Sequence, residues 1–98
     1  MLFVARFVDK PGIAEKRAKL LGMHFAWLND NRDKVLIAGA LKESLEGPGQ
    51  GSIWIIEADN RAEVEQVYQS EPFFANGLRE RVEIYYYIKA NADRPVTI

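Results

Sequence analysis

Apolar side chains occupy both phases of the alternation from Leu2 to Val8. Leu2, Val4 and Val8 share one face with Arg6, and Phe3, Ala5 and Phe7 share the other. A period of two predicts a strand, and Pro11-Gly12 ends it. From Ile13 to Asn31 the period changes. Ala14, Ala18, Leu21, Phe25 and Leu28 recur at steps of four and three, which predicts a helix with one buried stripe. Arg17, Leu20, His24 and Trp27 run beside that stripe and put His24 at the border of the core face. Gly22 costs about 1 kcal/mol relative to alanine, so a kink or a close backbone contact is expected just before His24. The polar run Asn29 to Asp33 stops the helix.

Val35 to Leu41 reads as a second strand, with Gly39 marking a bulge or a close approach to the backbone. Glu43 to Gln50 is a loop broken by Gly47-Pro48-Gly49, and Gly51 to Ala58 is a third strand. Asn60 with Glu63 forms a capping box for a second helix from about Arg61 to Ser70, which buries Val64, Val67 and Tyr68. Glu71-Pro72 breaks it. Phe73 to Leu78 forms a short extra turn closed by Asn76-Gly77, and Arg79 to Lys89 is the fourth strand. Residues 1–90 form the domain, and Asn91 to Ile98, with Pro95 against regular structure, form a tail. The order β-α-β-β-α-β predicts an α+β, ferredoxin-like fold with a four-stranded antiparallel sheet. Two helices cover one face of such a sheet, and the other face is polar where it meets water. Here both faces are apolar. A second sheet from another copy is therefore expected to cover the free face, giving a homodimer.

Composition narrows the functional classes. The 13 basic and 14 acidic residues nearly cancel, and no basic patch stands out for nucleic acid. No apolar run is long enough to span a bilayer. The N-terminus reads as a strand rather than a signal peptide, so a cytoplasmic location is expected. With a single histidine and no cysteine, a transition-metal site is not expected. Gly47 to Gly51 lacks the lysine of a phosphate loop. His24 is the first candidate for proton chemistry near neutral pH. Read from the residues alone, it is more simply a half-buried helix histidine satisfied by backbone or water.

Several segments in order carry a resemblance. The strand opens at Met1-Leu2-Phe3-Val4; Arg17 and His24 follow on the first helix; then come Val35-Leu36-Ile37-Ala38-Gly39, Gly51-Ser52, and Glu71-Pro72-Phe73 leading to Gly77-Leu78. Over Met1 to about Lys89 the chain resembles the YCII-related (YciI-like) domain family of the dimeric α/β-barrel superfamily. The resemblance implies two ferredoxin-like sheets packed as a dimeric barrel. It also implies cofactor-free acid–base chemistry of the lyase or isomerase kind on a small organic molecule, through a histidine–aspartate pair in each subunit. One branch removes chloride from chlorinated hydroxyquinones.

Carried over, the pair is His24 and Glu71, with glutamate in place of the usual aspartate. The connection from His24 to Gly39 is also slightly shorter than is typical. A carboxylate beside an imidazole fixes its tautomer and makes a competent general base. Arg17 is a candidate clamp for an anionic substrate group, and Ser52 a candidate hydrogen-bonding partner in the pocket. The plainer alternatives are a helix cap for Glu71, a solvated charge for Arg17 and a strand-end hydroxyl for Ser52. Arg6, in an interior strand, needs an acidic partner or a ligand, or serves the dimer interface. A non-catalytic small-ligand binder and a homodimerisation module on the same scaffold are the competing functions.

Overall fold

The computed structural model describes residues 1–91 and 93. The remaining residues of the expected tail, Pro95 included, lie outside the described residues. The order is β1 (Leu2–Asp9), α1 (Ala14–Asp30), β2 (Val35–Leu41), β3 (Gly51–Glu57), α2 (Arg61–Val67), a 3-10 turn (Tyr68–Ser70), α3 (Pro72–Ala75) and β4 (Arg79–Tyr86). All three strand pairings are antiparallel, in the order β2-β3-β1-β4. The chain thus has the expected α+β, ferredoxin-like architecture. The second helix is shorter than expected because its last turn tightens into the 3-10 form, and β4 stops at Tyr86 rather than Lys89.

Alternation sorts the sheet. Phe3, Ala5 and Phe7 of β1, Trp54 and Ile56 of β3 and Ile84 of β4 turn toward the helices and form the core with Val64, Val67 and Tyr68. Asn60 caps α2 by accepting the Glu63 N–H at 2.8 Å, and the Glu63 carboxylate accepts from the Asp59 N–H at 3.0 Å. The opposite sheet face is apolar and open: Ile37, Ile53 and Tyr85 are 47%, 37% and 57% exposed. Among them Arg6 finds its acidic partner in Glu83 at 3.2 Å.

Helix α1 departs from the expected orientation. Ala14, Ala18 and Phe25 are exposed and Leu21 and Leu28 only partly covered, whereas His24 is the buried residue of the helix. The more covered face is therefore the stripe of Arg17, Leu20, His24 and Trp27, of which His24 alone is buried, and Leu28 packs on the core beside Trp27. The Trp27 indole N–H donates to Ser70 Oγ at 3.0 Å and ties this face to the 3-10 turn. The rotation follows from what lies beneath α1: polar and aromatic groups that hold the site, not a purely apolar floor.

Neither Gly22 nor Gly39 meets a close contact within this chain. Helix α1 runs unbroken through Gly22, and a Cβ there would meet nothing within 4 Å. Gly22→Ala should therefore raise stability by about 0.5–1 kcal/mol, read from denaturant midpoints at unchanged slope. The β2 register shift falls between Val35 and Ile37, not at Gly39, which is also free of neighbours within 4 Å. Gly51 is different. A Cβ there would sit 2.1 Å from the carbonyl oxygen of Phe7, so only glycine lets β3 start this close to β1.

Candidate functional site

Glu71 stands between the 3-10 turn and α3, with Pro72 at the first helical position. Its carboxylate, fully buried, serves two ends at once. Oε2 accepts the Phe74 N–H at 2.8 Å and caps α3. Oε1 accepts from His24 Nδ1. The cap and the pairing are thus one arrangement, and the extra methylene of glutamate supplies the reach for both. Asn76 and Gly77 (φ 76°) close the turn, with the Leu78 N–H donating to the Phe73 carbonyl at 3.0 Å. That turn presents Phe73 flat against His24, with ring centroids 4.1 Å apart and planes 12° from parallel.

Burial raises the Glu71 carboxyl, but the His24 hydrogen bond, the Phe74 and Phe73 amides and the Arg79 charge outweigh it. The carboxyl is held below its ordinary value and is ionised at neutral pH. An ionised carboxylate only accepts, so the proton of the neutral imidazole sits on Nδ1. Nε2 then carries a lone pair. It has no hydrogen-bond partner among the described residues and is not sealed from solvent.

His24 lines a cleft of about 240 Å³ between α1 and β2, together with Arg17, Leu21, Phe25, Lys42, Ser52 and Trp54. Ala38, Gly39 and Ala40 form its low wall. All four residues read as a site thus converge: His24 and Glu71 in direct contact, Arg17 and Ser52 on the walls of the same cleft. A larger depression of about 420 Å³ lies between the β1–α1 turn and Pro48–Gln50, but it includes neither His24, Glu71 nor Ser52. The smaller cleft is the candidate site because His24, Arg17 and Ser52 all line it.

Behind the cleft stand two residues that the sequence reading missed, Asp9 and Arg79. Arg79 Nη1 donates to Asp9 Oδ1 at 2.6 Å, and Nη2 reaches Ser52 Oγ at 3.4 Å. Arg17 Nε lies 3.6 Å from Asp9 Oδ2. The two guanidinium groups also flank the Phe73 ring, 5.0 Å and 5.2 Å from its centroid. Asp9 therefore holds Arg17 and Arg79 side by side, and Arg79 in turn supports Ser52. The available signal was weak: Asp9 closes a strand just before Pro11-Gly12, and Arg79 opens one just after Gly77-Leu78. Arg17 also explains Gly49, where a Cβ would lie 2.7 Å from its Nη1.

Among the described residues no His, Cys, Asp and Glu side chains group in threes as metal ligands do. None of their helices is long and apolar enough to cross a membrane.

The sequence model of the YCII-related domain matches residues 1–88. Among solved structures, the chain is similar to the 5-chloro-2-hydroxyhydroquinone dehydrochlorinase of Burkholderia phenoliruptrix AC1100, determined in complex with 2,5-dihydroxybenzoquinone. The two are 26% identical with a TM-score of 0.81, over 90% of this chain and 94% of that one. TTHA0845 of Thermus thermophilus shares the fold, at 18% identity and a TM-score of 0.53, over 92% of this chain and 96% of that one. No curated protein sequence matches the chain.

Proposed function

Since the chain belongs to the family of YCII-related domains, we propose that it is an enzyme of cofactor-free acid–base chemistry on a small hydroxylated aromatic or quinonoid molecule. One observation carries the reading: His24 lines the cleft while an ionised, buried carboxylate holds its Nδ1 and leaves Nε2 without a partner among the described residues. That is the arrangement of a general base. In this reading His24 takes a proton from the substrate, and the electrons released expel a leaving group such as chloride with its bonding pair. Glu71 orients the ring and stabilises the imidazolium that forms. Arg17 and Ser52 hold substrate oxygens. The likeness to the dehydrochlorinase supports elimination of a hydrogen halide as the first reaction to try.

The test is chloride release from 5-chloro-2-hydroxyhydroquinone, with calorimetric titration of 2,5-dihydroxybenzoquinone alongside. Turnover with saturable binding is the expected result. Binding without turnover points to a ligand-binding module, and absence of both contradicts the proposal.

The apolar open sheet face supports a homodimer with two sheets face to face, each subunit keeping its own cleft. Light scattering should give twice the chain mass of 11.2 kDa. A stable monomer at micromolar concentration contradicts it. An intracellular, cytoplasmic setting fits this reading.

A further inference from the structure

The cleft is one-sided in charge. Arg17, His24 and Lys42 line it, and no carboxylate does so among the described residues. The site's two acids are paired behind the wall, Asp9 with Arg79 and Arg17, Glu71 with His24. Lys42 is not: among the described residues its ammonium makes neither an ion pair nor a hydrogen bond, although it follows directly on the last residue of β2 at the cleft margin. Donors and cations without acceptors describe a ligand rich in negative oxygen. The rest of the lining is apolar, with Leu21, Phe25 and Leu28 from α1, the small side chains of β2 and Trp54.

We propose that Lys42 is a specificity-determining residue that, with Arg17, makes this cleft selective for small planar organic anions over their neutral counterparts. The proposal deepens the functional reading above and rests on it. A hydroxyquinone is a vinylogous acid and is already ionised at neutral pH, whereas its methyl ether carries no charge. Lys42 at the mouth then meets the anionic oxygen that Arg17 does not hold.

The experiment is a calorimetric titration of the intact chain with 2,5-dihydroxybenzoquinone and with its neutral dimethyl ether. Wild type should bind the anion more tightly than the ether. Lys42→Gln should weaken the anion by about fivefold, the size expected of one solvent-exposed charge contact, and leave the ether unchanged. Lys42→Arg should restore the anion, and added salt should narrow the difference. If Lys42→Gln binds the anion as wild type does, or loses anion and ether equally, the role of Lys42 is overturned, while His24-dependent turnover still stands for the function. If wild type binds neither compound, the proposal and the functional reading fail together.

Discussion

Replacing His24 by asparagine should cut turnover by about 10²–10⁴-fold, the usual contribution of a positioned general base, and leave the fold intact. The asparagine amide can still donate toward Glu71 Oε1 from close to the Nδ1 position, so the buried carboxylate keeps a partner. What the variant lacks is the second ring nitrogen with its lone pair. In the proposed function substrate binding rests on Arg17, Ser52 and the apolar walls, so KM should change far less than kcat. Steady-state kinetics with a thermal melt decides the matter. An equal loss of activity and stability would place His24 in the framework rather than the chemistry.

Glu71→Ala should cost stability rather than activity alone, by about 3–5 kcal/mol, because it strands buried partners of a charge. The His24 Nδ1–H and the Phe74 N–H both lose their acceptor, and Arg79 loses a nearby negative charge. Glu71→Gln keeps the shape and one acceptor oxygen and should cost less. The two variants separate by pH. Glu71 is held below its ordinary value of 4.5 in the folded chain, with burial outweighed by His24, the α3 amides and Arg79. A carboxyl with a lowered folded pKa contributes fully above the unfolded value, and the contribution is lost as pH falls through the folded one. The stability gap between wild type and Glu71→Gln should be full at neutral pH and shrink on acidification below about 4.5. A gap that stays constant into acid would remove the ionised carboxylate from the account.

The fold was legible because it rests on period and punctuation. The alternation in Phe3–Phe7 and Trp54–Ile56, the Asn60–Glu63 box and the Glu71-Pro72 break each act locally, and the structure keeps them. The site was legible only where it shared that local logic. Glu71 is readable as a cap from its place before proline. That the same carboxylate also holds a histidine 47 positions earlier is a tertiary fact, and the family resemblance supplied it. Asp9 and Arg79 meet across 70 positions, and each looks alone like a solvated strand end.

Helix α1 shows the opposite failure. Its two neighbouring stripes differ by one position, and the more apolar one reads as core. The chain buries the other, because Arg17, His24 and Trp27 have partners beneath them. Ala18, Leu21 and Phe25 are left for the clefts. Lys42 has no signature at all, since a lysine after a strand is ordinary until the cleft is seen.

The most direct test of the central claim is the tautomer of His24, read from the ring nitrogen shifts of ¹⁵N-labelled protein at a pH where the imidazole is neutral. The chain has one histidine, so the signal needs no assignment. The account predicts a proton on Nδ1 and a bare Nε2 in wild type, with that preference weakened in Glu71→Gln. A proton found on Nε2, or a tautomer indifferent to Glu71, would contradict it.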